Sequence, residues 1–97
     1  MARTLTGTAT STPTHGTDGW AGRIYVIGVS LTSTTDASAI TVYDNASAGS
    51  GPVVAKLAVA ANNTSHSIMF DEPVSCDAGC YVVVDTGTAP RWVVYYK

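Results

Sequence analysis

The chain has 97 residues, which suits one small domain that buries roughly 60–65% of the surface exposed by the unfolded chain. Only 12% of the residues are charged, five basic and seven acidic, whereas about 25% is usual in a soluble domain. The net charge of −2 argues against electrostatic binding to nucleic acid or to an anionic membrane, and no apolar run is long enough to span a bilayer. The first six residues contain no apolar run, so we expect no secretory signal.

The composition is typical of an all-β protein. Val, Ile, Thr, Tyr, Phe and Trp together number 38, whereas Leu, Met, Glu, Gln, Lys and Arg together number 11. Turn residues divide the chain into seven or eight short strands with alternating faces. This pattern predicts an antiparallel β-sandwich, jelly-roll-like in its order, and no helix of ten residues or more.

The first segment predicts an extended arm. Thr occupies every even position from 4 to 14, so all six Thr side chains lie on one face of an extended chain. Three interpretations are open: an edge strand, a disordered tail, or an arm that pairs with a neighbouring subunit. Residues 14–22 are predicted to be a Gly-rich loop that carries Trp20. We therefore expect an N-terminal arm and loop over residues 1–22 and a β-sandwich domain over residues 23–97.

Residues 23–32 form the longest predicted strand. Its odd-numbered side chains, from Tyr25 to Leu31, are the more apolar set and are expected to face the core. Asn62 and Asn63 are expected to form a turn, and residues 71–73 another. The remaining strands are predicted at residues 39–43, 53–60, 65–70, 74–76, 81–85 and 92–96.

No catalytic, cofactor-binding or metal site is predicted. Cys76 and Cys80 with the distant His15 and His66 have no ligand-like spacing for zinc. A disulfide across the turn between the two cysteines is sterically allowed, but we favour two small buried thiols that stay reduced. The sequence has no G-x-S-x-G elbow and no supported Cys–His pair, and His66 is expected to face solvent. We therefore do not expect an enzyme.

The aspartates at strand ends and turns are interpreted as structural. Asp44, Asp77 and Asp85 each lie where a carboxylate commonly caps a turn. Calcium could use such oxygens, but the sequence has no D-x-D-x-D-G run. We therefore expect these side chains to hold loops rather than an ion.

The aromatic residues and the low charge point to association with other chains. Residues 92–96 are apolar on both faces, which is typical of a strand that is central in a sandwich or covered by a partner. Surface Trp and Tyr could also stack on sugar rings, which makes a glycan the alternative ligand. The residues predicted to form an interface are Arg3, Thr4, Leu5, Thr6, Thr8, Thr10, Trp20, Trp92, Tyr95 and Tyr96.

From Ala39 onward the chain resembles a group of small virion proteins of tailed bacteriophages. The segments that carry the resemblance are AITVYDNAS (39–47), GSGPVVA (49–55), PVSCDAGCYV (73–82) and VVYY (93–96). An apolar residue is usual in that group at the position of Cys80, which implies a small buried side chain there. The first 22 residues lie outside the resemblance.

The resemblance implies a structural role in a virus particle, as a capsid decoration or cement protein. Such a protein would be made in the host cytoplasm, would sit on the capsid surface, and would contact the major capsid protein. It would form a homo-oligomer, with a trimer favoured. Two alternatives stay open, namely a tail, fibre or baseplate component and a glycan-binding module for host attachment. Neither nucleic acid nor a membrane is an expected partner.

Overall fold

The computed structural model describes residues 3–8, 17–46 and 48–97, and these ranges contain eight β-strands. No helix that could cross a membrane occurs within them. The strands are β1 (Arg3–Thr8), β2 (Thr17–Ala21), β3 (Ile24–Thr32), β4 (Ser38–Tyr43), β5 (Val53–Val59), β6 (Ser65–Cys76), β7 (Gly79–Thr86) and β8 (Arg91–Tyr96).

The strands form two antiparallel sheets, which we name sheet A and sheet B. Sheet A has the order β1-β8-β3-β6, and sheet B has the order β2-β7-β4-β5. Four of the strand pairs are nested along the sequence, so that each encloses the one before it: β4–β5, β3–β6, β2–β7 and β1–β8. Every connection except the one between β4 and β5 therefore passes from one sheet to the other.

The expected all-β antiparallel sandwich is confirmed, but the strand count needs a correction. Between residues 23 and 97 the sandwich has six strands in two three-stranded sheets, fewer than the seven or eight expected. The total reaches eight only with β1 and β2, which lie in the N-terminal segment and add a fourth strand to each sheet.

The predicted turn at residues 71–73 is wrong, because β6 runs through it as a strand of 12 residues. Val26 pairs with Val74 and Gly28 pairs with Met69, so residues 70–73 together face a single residue of β3. The polar residues Asp71, Glu72 and Pro73 therefore form a wide irregularity in the pairing of β6 with β3. An edge strand tolerates this because its outer side carries no ladder that Pro would interrupt.

The predicted inward face of the longest strand is right for only half of β3. Val29 and Leu31 are buried as expected, but Ile24 and Val26 are also buried, while Tyr25 is 42% exposed. The reason is an irregularity at Ile27, where the register shifts against both neighbouring strands. One extra residue there reverses which side chains face the core.

The prediction of a loop at residues 14–22 also needs a correction, because this segment contains strand β2. Residues Thr17–Ala21 pair with β7 along their whole length, with Trp20 opposite Cys80. Gly and Asp are unfavourable in strands, but here the edge position and the pairing with β7 outweigh that local preference.

The N-terminal strand lies in the chain's own sheet. β1 pairs with β8 from Arg3↔Tyr96 to Thr8↔Arg91, which corresponds to the edge-strand interpretation of the arm. The side chains of Thr4 and Thr6 are exposed. Residues 9–16, which include Thr10, lie outside the described residues.

The core of the described residues lies between the two sheets and is aliphatic apart from two aromatic residues, Trp92 and Tyr96, and two cysteines. Trp92 is 2% exposed and is the largest of the buried side chains. The inward residues of β3, β5, β7 and β8 supply most of the packing. The buried apolar residues are Ile24, Val26, Val29, Leu31, Ile40, Val42, Ala55, Leu57, Val59, Cys76, Cys80, Val82, Val84, Trp92, Val94 and Tyr96.

Candidate interaction surfaces

The described residues contain no group of three or more His, Cys, Asp or Glu side chains placed to hold a metal ion. His66 is exposed on β6, as the sequence predicts, and His15 lies outside the described ranges. The loops at the two ends of the sandwich differ in the polar groups that hold them.

Cys76 and Cys80 are free thiols in the structure and are completely buried, as expected for small side chains near this turn. The pKa of Cys76 is raised from 9.0 to about 11, mainly by burial and in part by the nearby carboxylates of Asp44 and Asp77. Burial likewise raises the pKa of Cys80 to about 12, with contributions from Cys76 and Asp44. Both thiols keep their protons at neutral pH, so neither is a reactive thiolate.

The carboxylate of Asp44 joins two loops at this end of the sandwich. Its Oδ1 accepts hydrogen bonds from the backbone N–H groups of Ala78 at 3.0 Å and Gly79 at 3.3 Å, and its Oδ2 accepts one from Asp77 at 3.3 Å. Asp44 thus caps the turn between the two cysteines. The predicted structural role is correct, but the turn is 33 residues away from Asp44 along the chain.

Asp77 and Asp85 also act locally. Asp77 forms an exposed ion pair with Arg23 at 3.2 Å and accepts a hydrogen bond from Ser75. Asp85 accepts a 2.6 Å hydrogen bond from the hydroxyl of the buried Thr41 on the neighbouring strand. These contacts fix backbone and side chains and leave no open acidic cluster.

The opposite end of the sandwich is held by hydroxyl groups. Ser33 is buried; its Oγ donates to the carbonyl of Ala60 at 2.6 Å and accepts from the N–H of Thr64 at 3.0 Å. The hydroxyl of Thr88 donates to Asp36 at 2.6 Å. Within the described part of the chain, no buried side-chain nitrogen or oxygen lacks a hydrogen-bond partner. This end is therefore a satisfied structural network rather than an empty polar site.

The predicted interface residues are distributed over different environments. Trp92 and Tyr96 face inward and pack in the core of their own chain, whereas Tyr95 faces outward from sheet A and is half-buried. Thr4 lies beside Tyr95 and Thr6 beside Val93 on that outer face. Arg3, Leu5 and Thr8 lie on β1 and pair with Tyr96, Val94 and Arg91, and Trp20 lies on β2 and pairs with Cys80.

The outer face of sheet A also carries exposed residues that the sequence analysis did not select. Met69 on β6 is 62% exposed, and Tyr25 on β3 is 42% exposed. Tyr25 was missed because the irregularity at Ile27 turns it from the core side to the solvent side. Met69 was missed because a single Met in a strand gives no signal of its orientation.

No protein-family model matches this sequence, and no curated protein matches it significantly. Among solved structures, the fold is similar to that of tobacco streak virus coat protein, with a TM-score of 0.46 and 14% identity over 99% of this chain and 86% of the coat protein. It is also similar to a structure of infectious bursal disease virus Gt strain, with a TM-score of 0.30 and 15% identity. That match covers 99% of this chain and spans 36% of the viral chain. The function of this chain therefore has to be inferred from its own residues and fold.

Proposed function

We propose that this protein is a structural component of a virus particle, a capsid decoration or cement protein of a tailed bacteriophage. The observation that carries the proposal is the nested pairing of eight strands in two four-stranded sheets. This is the arrangement of a jelly roll, a fold that viral capsid and lectin domains share. The resemblance of residues 39–96 to small phage virion proteins supports the same role.

The surface supports a role in assembly. A chain with 12% charged residues has little charge to keep copies of itself apart, and freely soluble domains are usually more highly charged. Serine and threonine hydroxyls take the place of charges around the loops and on sheet A. Neutral polar surfaces of this kind can be buried against another protein at a lower desolvation cost than charged ones.

The proposed contact with a neighbour uses the N-terminal strand. β1 is an edge of sheet A: one side of its backbone pairs with β8, and no other strand of the described residues pairs with its outer side. A strand of the major capsid protein or of another copy could extend the sheet there by backbone hydrogen bonds. Contacts of this kind around a three-fold axis would give the expected trimer and would bridge neighbouring shell subunits.

The copy number of the protein in purified particles tests the proposal. Quantitative mass spectrometry should give a ratio to the major shell protein that is near one or a simple fraction of one. A ratio below a few per cent would contradict decoration and indicate a tail, fibre or baseplate component. Absence from particles would contradict a virion role altogether.

Substitutions at the sheet edge test the role of β1 separately. Because Thr4 and Thr6 are exposed, Thr4→Lys with Thr6→Lys should leave the sandwich folded. The added charges should block strand addition at this edge, so particle occupancy should fall at least about tenfold. Deletion of residues 2–14 should have the same effect. Full occupancy of either variant on particles would contradict the contact through β1.

Glycan binding is the second candidate, because lectin domains also use the jelly roll. Trp20 is the residue to test, as the aromatic side chain that the sequence places in a Gly-rich segment. Loss of glycan or cell binding in Trp20→Ala, with the copy number low, would favour host attachment over decoration. Unchanged binding in Trp20→Ala would remove the main support for this candidate.

A further inference from the structure

The outer face of sheet A has a row of three residues with a glycine at its centre. Gly28 pairs with Tyr95 of β8 on one side and with Met69 of β6 on the other. Met69 lies over Gly28, because a Cβ added to this glycine would meet the Met69 Cε at 2.8 Å and the Ile68 carbonyl oxygen at 2.9 Å. The absence of a side chain at Gly28 therefore gives the Met69 thioether room to lie across β3, in the same row as the outward-facing Tyr95.

The residues around this row are uncharged. Thr4, Val93, Ser30 and Ser67 occupy the neighbouring outward positions of the four strands. Tyr25 continues the face beyond Ile27. The central part of the face is therefore apolar or hydroxyl-bearing across the whole sheet, which is typical of the centre of a protein interface.

Charges occur at the border of the face, with opposite signs on opposite sides of β3. Asp71 and Glu72 are exposed in the wide irregularity of β6. Lys97 is exposed just after β8, where its backbone exchanges two hydrogen bonds with Tyr25, at 2.9 and 3.1 Å. Asp71 and Glu72 lie beside Ile27, and Lys97 lies beside Tyr25, so the acidic and basic groups flank the same end of β3 from opposite sides.

We propose that this face binds the same face of a second copy of the chain, about a two-fold axis that runs along β3 near Gly28. Such an axis places the β6 side of one copy opposite the β8 side of the other. Met69 then lies against Tyr95 of the partner subunit, a favourable contact between sulfur and an aromatic ring. The Lys97 side chain comes close to Asp71 and Glu72 of the partner subunit, so the borders have complementary charges.

The size of the face predicts a weak contact. Strands spaced about 4.8 Å apart and rising about 3.3 Å per residue make a four-stranded face of roughly 20 by 30 Å, or about 1,200 Å² buried in total. That area is at the lower limit for specific interfaces. The free protein should therefore form dimers reversibly, and the contact would strengthen wherever copies are concentrated. This inference concerns the free protein in solution and does not depend on the proposed particle role.

Sedimentation of the purified chain over a wide concentration range tests the contact. Wild-type protein should change reversibly from monomer to dimer as its concentration rises. Met69→Glu places a charge in the centre of the face and should raise the dissociation constant at least about tenfold. Val53→Glu is the matched control, because Val53 is similarly exposed, at 54%, but lies on β5 in sheet B. Thermal unfolding of each variant should show that both remain folded.

Charge reversal provides a second, independent readout. Lys97→Glu should weaken the dimer several-fold, and combining it with Glu72→Lys should restore the wild-type dissociation constant. Wild-type protein that stays monomeric throughout, or equal effects of Met69→Glu and Val53→Glu, would overturn the proposal. A monomer whose particle binding is lost in Met69→Glu would show that this face binds a different protein. That result would contradict the proposed dimer of the free protein but would leave the proposed function intact.

Discussion

Asp44 illustrates how a single side chain can organise one end of this sandwich. Its carboxylate accepts three backbone hydrogen bonds from the turn between β6 and β7, although it belongs to the end of β4. Sequence reasoning assigned Asp44 to a turn, because Asp after a strand commonly caps one. It could not identify which turn, because that depends on how β4 and β7 pair in the folded chain.

Replacing Asp44 should destabilise the protein measurably. Asp44→Ala leaves three N–H groups without their charged acceptor, so the free energy of unfolding should fall by about 1–3 kcal/mol. Chemical denaturation followed by fluorescence would measure the change. Asp71→Ala is the control, since Asp71 is an exposed residue whose removal should stay within about 0.5 kcal/mol of wild type. Equal effects of the two substitutions would contradict the capping role.

The buried thiols predict a loss of stability at alkaline pH. In the folded chain the pKa values of Cys76 and Cys80 are raised to about 11 and about 12, from 9.0. Above pH 9 the unfolded chain therefore binds fewer protons than the folded chain, so the free energy of unfolding falls as pH rises towards 11. Below pH 9 these thiols contribute no pH dependence.

A variant without thiols separates this effect from other titrating groups. Cys76→Ala with Cys80→Ala creates small cavities and should be less stable at every pH, but its stability should fall less steeply between pH 9 and pH 11 than that of wild type. Denaturant titrations at several pH values would compare the two slopes. Identical slopes would show that the thiols are not protected by burial.

At the scale of elements, β3 shows the limit of periodicity as a predictor. A strict period of two predicts one apolar face, and the odd-numbered residues of β3 fit it by composition. The structure buries Ile24 and Val26 before the irregularity and Val29 and Leu31 after it. The sequence has no local sign of the extra residue, because its position is determined by pairing with β6 and β8. The existence of the strand was therefore predictable, whereas its orientation was not.

Deleting Ile27 should be far more harmful than truncating it. Without the extra residue, either Ile24 and Val26 or Val29 and Leu31 must turn outward, and each exposed side chain costs about 1.5–3 kcal/mol. That loss is a large part of the free energy of unfolding of a typical domain, which is about 5–15 kcal/mol. Ile27→Ala keeps the spacing and removes part of a half-buried side chain, at a cost of about 1–2 kcal/mol. Circular dichroism should show an unfolded deletion variant and a folded Ala variant.

At the scale of the whole molecule, composition was the more reliable guide. The excess of β-branched and aromatic residues and the regular turns predicted an all-β sandwich, and that prediction holds. The N-terminal segment was harder, because the Gly and Asp residues of β2 favour a loop and only pairing with β7 makes them a strand. The exposed face of sheet A was not predictable, since it depends on the register that brings Tyr95, Gly28 and Met69 into one row.

The nested topology predicts slow folding. β1 pairs with β8, so the first strand must find a partner that lies almost the full length of the chain away. Closing a loop of that length lowers the entropy of the chain before the stabilising strand contacts form. β-Sandwiches accordingly fold in milliseconds to seconds. Stopped-flow refolding monitored by Trp fluorescence should fall in this range. A folding time in microseconds would contradict the nested order of pairs.

The position of β8 also has a consequence for the protein during its synthesis. β8 leaves the ribosome after the other seven described strands, yet it lies in the interior of sheet A, between β1 and β3. Until residues 91–96 have emerged, β1 has no neighbour and β3 keeps an open edge with its apolar side uncovered. The nascent chain therefore cannot complete sheet A by folding one strand after another as it emerges. The uncovered apolar side of β3 favours association with other nascent chains until translation has passed this strand.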